Sequence, residues 1–325
     1  MKILITGGAG FIGYHLAKLL TLKGYFVEIT DILNIDHFDE DLKKLLSNKN
    51  CNYIKCNILE KNEINNLSKD YDLIIHLAAI VGVENVISNS YGVLTQNQLM
   101  LFNILTFAKT QKQKPKFIFA STSEVYAGSQ FLNNIEYPTK ESTILSLPDL
   151  SLPRTSYMLS KIYGEAMCHS SNLNYLILRP HNIYGPRMGM KHVIPQLIKK
   201  IIHTKREGTL DLFSPDHTRT FCYVNYAVEK IALFIEKENW PTNAINLGVE
   251  KPEIKIKDLA NLLLKIINRQ DISINELENT PGSPSRRVPE TSSLDINTGF
   301  TDIPSLEEGI IETYNWYRKK INSYE

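Results

Sequence analysis

The stretch KILITGGAGFIGYHL, Lys2–Leu16, decides the fold. Lys2–Thr6 is an apolar run of strand length, and it passes directly into a cluster of glycines. These fit GxxGxxG counted from Gly7 and GxGxxG counted from Gly8. Glycine suits a tight turn whose backbone must approach a pyrophosphate, and the last glycine lets the next helix pack closely on the sheet. That helix, read as Phe11–Lys23, offers unpaired N–H groups and a partial positive charge at its start. A second strand, Phe26–Asp31, ends in a carboxylate 18 residues beyond Gly13. The spacing is close to the roughly 20 residues at which an acid grips the adenosine ribose hydroxyls. A carboxylate there repels a 2′-phosphate, and no Arg follows it, so NAD is expected rather than NADP.

Outward from this unit, apolar runs of strand length alternate with longer stretches of helical period. Strands are predicted at Tyr53–Lys55, Leu73–Leu77, Phe117–Ser121 and Tyr175–Arg179, and helices over Val93–Thr110 and Tyr157–Ser170. The alternation predicts an α/β fold, a Rossmann-type doubly wound parallel sheet with helices on both faces. After about residue 180 a series of prolines from Pro186 to Pro284 breaks the pattern. The expected organisation is an NAD-binding domain over 1–180. A smaller C-terminal substrate-binding lobe follows over 181–325, with some segments returning to the first domain.

Composition narrows the function classes. The 325 residues carry a net charge of +1 without a Lys or Arg block, which argues against a nucleic-acid partner. Cys51, Cys56, Cys168 and Cys222 are scattered and form no CxxC pair or Cys/His cluster. Neither a metal site nor a disulfide framework is expected, and a reducing, cytoplasmic setting is. No apolar run approaches the ~18–20 residues that span a bilayer. The opening residues superficially resemble a signal peptide, but glycines, His15 and Lys18 interrupt their apolar run.

The second informative stretch is Tyr157-Met-Leu-Ser-Lys161. Residues four apart share a helix face, so the Lys161 ammonium can lie beside the Tyr157 phenol. A phenol titrates near 10, and serving as a base near pH 7 costs ~4 kcal/mol. Lys161 together with the positive nicotinamide ring of oxidised NAD can supply that. Upstream, a strand ends in Ser121-Thr122-Ser123, where a hydroxyl can bond the alcohol being oxidised.

With these residues in place, the chain resembles the extended short-chain dehydrogenase/reductases, specifically the NAD-dependent epimerase/dehydratase family of nucleotide-sugar enzymes. The likeness runs through TGGAGFIG (Thr6–Gly13), HLAA (His76–Ala79), Asn97, STSEVY (Ser121–Tyr126), YMLSK (Tyr157–Lys161), RPHNIYGPR (Arg179–Arg187), RTFCYV (Arg219–Val224) and Arg286-Arg287-Val-Pro. The resemblance implies Thr122 as catalytic hydroxyl, Tyr157 as base, Lys161 as its partner, and Glu124 as an additional catalytic acid or base. It places the cofactor against Gly7, Gly10, Phe11, Ile12, Gly13, Asp31, Ile32, Asn57, Ile58, Leu77, Ala78, Ala79, Asn97, Tyr157, Lys161 and His181. Substrate contacts fall on Ser123, Asn182, His192, Val193, Arg219, Arg286 and Arg287. Forked guanidinium groups suit phosphates, and the competing reading for each arginine is a surface ion pair. One position departs from the family, since Asn57 stands where Asp is usual near the adenine. A homodimer joined through the helices around Val93–Thr110 and Tyr157–Ser170 is implied as well, with a role in cell-surface polysaccharide synthesis.

Family members oxidise a sugar hydroxyl, usually at carbon 4, and differ in the fate of the 4-keto intermediate. Thr122-Ser123-Glu124 and Pro153-Arg154 resemble UDP-glucuronate decarboxylases and GDP-mannose 4,6-dehydratases more than simple 4-epimerases. The segment HLAAIVGVENV does not resemble its decarboxylase counterpart. The order of expectation is decarboxylase, then 4-epimerase, then 4,6-dehydratase. A net dehydrogenase or reductase exchanging NADH with solvent, and a non-catalytic NAD sensor, stand behind these.

Overall fold

The computed structural model describes residues 1–132, 135–280, 284–300 and 302–320. Contacts divide the chain into two compact units. The first comprises Met1–Asn134, Glu141–Pro180 and Val228–Leu247, and the second Ile135–Lys140, His181–Ala227 and Gly248–Glu325.

The first unit is built on a sheet whose strands include β1 (Lys2–Thr6), β2 (Phe26–Asp31), β3 (Cys51–Lys55), β4 (Leu73–His76), β5 (Lys116–Ala120) and β6 (Tyr175–Pro180). With the strand Ile245–Leu247 outside β6, the seven run in the order Ile245–Leu247, β6, β5, β4, β1, β2, β3. Every pairing is parallel. The order reverses beside β1, where β2 lies on one side and β4 on the other. Open α/β sheets bind their ligands at such a switch point, beyond the carboxyl ends of the strands. Helices cover both faces, so β1 is apolar almost throughout, with Ile3, Leu4 and Ile5 wholly buried. Burial of each such side chain contributes roughly 1.5–3 kcal/mol.

Three helices carry the candidate site: α1 (Phe11–Leu22), α2 (Ser90–Lys109) and α3 (Pro153–His169). Proline occupies the first turn of α3, where its missing N–H costs nothing, so this helix begins four residues before Tyr157. The predicted strands ending at Leu77 and Ser121 stop one residue earlier, at His76 and Ala120. Pairing thus releases both residues into the loops that carry the site.

In the second unit, Thr218–Thr220 is the middle strand of a three-stranded sheet. Glu253–Lys255 lies antiparallel on one side and Arg286–Arg287 parallel on the other. A parallel pair, Thr209–Phe213 with Ser273–Leu277, lies in the same unit.

Candidate active site

The glycine turn joins β1 to α1. Gly7 has φ +69°, and a Cβ there would stand 2.8 Å from the Ala78 nitrogen, beyond the end of β4. A Cβ on Gly13 would lie 2.3 Å from the Gly7 carbonyl oxygen. Gly10 caps α1 without any side-chain hydrogen bond, which leaves the first N–H groups of the helix, beginning at Phe11 and Ile12, available to an anion. Asp31 stands across the turn, accepting the Ala9 N–H at 3.3 Å and the Ile32 N–H at 2.8 Å. Burial pushes its carboxyl above the usual range against those bonds. Ile32 is exposed beside it. A cradle closed to any Cβ, an uncapped helix start and an acid at the second strand end fit a dinucleotide.

Leu77, Ala78 and Ala79 follow β4, all half-buried. The Leu77 N–H donates to the Thr6 carbonyl at 3.1 Å. Asn97 of α2 is expected at the cofactor, yet its amide is committed to Ile80: Oδ1 accepts the Ile80 N–H at 2.7 Å and Nδ2 donates to the Ile80 carbonyl at 3.1 Å. It holds the segment after Ala79 in place. Half-buried Asn57 makes a local turn, its Oδ1 accepting the Leu59 N–H at 3.1 Å. Ile58 is part of the hydrophobic core.

The reactive residues gather around β5 and α3. Gly164 lets α3 approach the sheet, because a Cβ there would stand 2.5 Å from Phe119 of β5. Lys161 is buried, with its Nζ 5.0 Å from the Phe119 ring centre and 5.9 Å from that of Tyr157. Desolvation lowers its pKa to about 8. Its ammonium donates to the Ala120 carbonyl at 2.8 Å. Beyond Ala120, the Thr122 hydroxyl accepts the Glu124 N–H at 3.2 Å, and Ser123 is buried. Burial and the Glu124 carboxylate push the Tyr157 phenol well above its usual range, while a hydrogen bond with Thr122 pulls it down. Thr122, Glu124, Tyr157 and Lys161 therefore share one electrostatic neighbourhood. In the protein alone, removal from water and a negative neighbour outweigh Thr122.

The second unit holds the other expected residues. His181 is buried beneath Gly248, where a Cβ would stand 3.0 Å from its own. Asn182, at φ +43°, donates to the Thr220 carbonyl at 2.9 Å. His192 caps the helix Val193–His203, exposed at its start, with Val193 half-buried. The three arginines separate by strand parity, since side chains alternate between faces. Arg287 is in register with Arg219 on the neighbouring parallel strand, so both project from one face. Arg219 is buried, donating to the Thr218 carbonyl at 2.7 Å and to that of Pro284. Arg286 takes the opposite face and forms a two-pronged pair with Glu253, both bonds 2.8 Å. It also lies 4.8 Å from the Tyr137 ring centre. The ion-pair reading therefore holds for Arg286, while Arg287 stays with Arg219.

Sequence reasoning gave no role to two buried groups. His76 Nδ1 lies 2.8 Å from the Thr6 hydroxyl, and burial lowers its pKa to about 3, with Lys161 adding to the effect. Glu165, buried one helical turn beyond Lys161, is the other; its spacing of four was the available signal. Among the described residues, no group of His, Cys, Asp or Glu is placed to hold a metal. No described helix is long and apolar enough to cross a membrane.

Comparison with known proteins bears on the family and the fold. Residues 3–248 match the model of the NAD dependent epimerase/dehydratase family. A UDP-N-acetyl-alpha-D-glucosaminuronate decarboxylase of Bacillus cytotoxicus is 33% identical over 98% of both chains. A dTDP-D-glucose 4,6-dehydratase of Dictyostelium discoideum is 30% identical, covering 99% of this chain and 82% of that one. Among solved structures, a tyrosine-to-phenylalanine mutant of a UDP-glucuronic acid 4-epimerase from Bacillus cereus, in complex with NAD and UDP-4-deoxy-4-fluoro-glucuronic acid, superposes with a TM-score of 0.85. It is 27% identical, over 98% of this chain and 99% of that one.

Proposed function

The chain belongs to the NAD-dependent epimerase/dehydratase family and is an enzyme that uses NAD, and from that premise we propose that it oxidises carbon 4 of a nucleotide-linked sugar and works through the 4-keto intermediate. The first candidate is a uronic acid lost as carbon dioxide, in the manner of a UDP-glucuronate decarboxylase. The observation that carries this reading is the position of Glu124 two residues beyond Thr122, its N–H bonded to the Thr122 hydroxyl at 3.2 Å. A 4-epimerase needs no such group, since it only turns the ketone and takes the hydride back. The 33% identical decarboxylase relative supports placing decarboxylation first, and the 30% identical dehydratase keeps dehydration in view. A 4-epimerase is second, a 4,6-dehydratase third, and a net carbon-4 dehydrogenase or reductase last.

In this reading NAD, when bound, supplies the acceptor for the carbon-4 hydride. Thr122 bonds the sugar hydroxyl, and Tyr157 takes its proton. With NAD held at the glycine turn, its positive charge together with the Lys161 ammonium would favour the ionised phenol. Glu124 orients the substrate carboxylate and disfavours its ground state. With a ketone at carbon 4, the carbon-5 to carbon-6 bond breaks, carbon dioxide leaves, and its electron pair passes into the ketone as an enolate. Proton return at carbon 5, with the hydride that NAD would give back, would leave the cycle redox-neutral. Cofactor contacts are assigned to residues of the first unit. Asn182, His192, Val193, Arg219 and Arg287 are assigned to the nucleotide. Ser123 is assigned to the sugar.

The reading extends to a cytoplasmic homodimer serving polysaccharide synthesis. Support for the dimer comes from α2 and α3, which leave Tyr91, Leu99, Phe102 and Tyr163 exposed.

The test is a panel of nucleotide sugars, UDP-glucuronate and UDP-N-acetylglucosaminuronate among them, with product mass and NADH absorbance followed together. Loss of carbon dioxide supports the first reading and loss of water the third. Unchanged mass with a new NMR spectrum indicates epimerisation, and loss of two hydrogens with free NADH indicates a dehydrogenase. Tyr157→Phe should keep NAD and lose about a thousandfold in turnover; near-normal turnover would remove Tyr157 as the base. Glu124→Ala should abolish decarboxylation or dehydration but spare a pure epimerase, as measured by product formation.

A further inference from the structure

Behind the reactive residues lies a buried polar network that the reaction itself does not require. Glu165 and Arg179 form its centre, each almost fully buried. Arg179 Nε donates to Glu165 Oε1 at 2.9 Å, and Nη2 to Oε2 at 2.7 Å. Each remaining bond reaches a separate part of the first unit. Glu165 Oε1 also accepts the Ser121 hydroxyl at 2.5 Å. Arg179 Nη1 donates to the Tyr126 hydroxyl at 2.7 Å and to the Glu141 carbonyl at 3.1 Å. The Tyr126 hydroxyl in turn donates to Asn246 Oδ1 at 2.9 Å. The Asn246 N–H donates to Glu141 Oε1 at 3.0 Å.

Ser121 and Tyr126 are the two ends of the segment that carries Thr122 and Glu124. One turn apart on α3, Lys161 grips the Ala120 carbonyl and Glu165 grips the Ser121 hydroxyl. From β6, Arg179 grips the far end through Tyr126. We propose that Glu165 and Arg179 are a positioning pair that clamps segment 121–126 at both ends and so fixes Thr122 and Glu124 against Tyr157. A buried ion pair is weak evidence for stability, because desolvation of both charges offsets their attraction. Dense hydrogen bonding makes it a rigid fixture, and rigidity behind reacting groups is where small displacements cost rate. The inference rests on the roles given above to Thr122 and Glu124.

The test leaves the ion pair intact and cuts its links to the segment, Tyr126→Phe also removing the bond to Asn246. Ser121→Ala, Tyr126→Phe and the double variant are compared with the wild type as the full chain loaded with NAD. Hydrogen exchange is read at the amides of Glu124 and Val125, which bond to Thr122 at 3.2 and 3.4 Å. Each single variant should speed this exchange severalfold and the double variant more, while exchange in β1–β4 stays unchanged. With whichever sugar the wild type turns over, kcat should fall about tenfold with KM within about twofold, and Ser121→Thr should restore it. Unchanged exchange at 124 and 125, or a loss carried by KM alone, overturns the clamp. If no sugar is turned over, the functional reading fails and exchange still decides the clamp.

Discussion

The glycine turn of the first unit and the small arginine sheet of the second are both suited to anionic groups, and they are built by opposite means. The turn works by having no side chains: backbone N–H groups and a helix start face outward because no Cβ fits at Gly7 or Gly13. The sheet works through side chains, and strand parity decides which of them is available. Arg286 is spent on Glu253, while Arg219 and Arg287 share the other face. A site made of backbone tolerates almost no substitution. A site made of side chains has members that matter and members that do not.

Substitutions should expose that asymmetry. Gly13→Ala should have the largest effect, because its Cβ would meet the Gly7 carbonyl 2.3 Å away. NAD affinity should fall at least about a hundredfold by fluorescence titration, and retention of affinity would break the backbone account of the turn. Arg287→Ala should raise KM for the nucleotide sugar about tenfold with kcat little changed, and an effect on kcat alone would count against its assignment. Asp31→Asn keeps an acceptor for the Ala9 N–H but removes the charge. It should weaken NAD severalfold and improve NADP relative to it, as competition binding would report. Arg286→Ala should be the mildest, changing KM less than about twofold. Its half-exposed pair with Glu253 is worth ~0–1 kcal/mol in stability. A larger KM change for Arg286 than for Arg287 would reverse the parity assignment.

The same contrast explains what the sequence disclosed. The turn was legible because strand, glycines and helix are contiguous, and each residue's requirement is local. The Tyr157–Lys161 pair was legible for the same reason, through helix periodicity. Choosing between Arg286 and Arg287 needed the register of 286–287 against 218–220, a pairing across more than 60 residues. It also needed Glu253 from a third strand. Asn97 was identified as a site residue, but its commitment to the Ile80 backbone depends on how the loop after β4 folds back. The raised phenol of Tyr157 reflects burial and a charge brought in by tertiary packing, and no spacing rule encodes either.

Gly164 carries a consequence for how such a catalyst could diversify. With a Cβ excluded 2.5 Å from Phe119 and 3.0 Å from Leu101, the separation between α3 and the sheet is a fixed dimension, and descendants of this scaffold cannot retune it one methyl group at a time. New reactions would have to be written into the adjustable part, Ser123 and Glu124, while the spacing that holds Tyr157 and Lys161 is inherited unchanged.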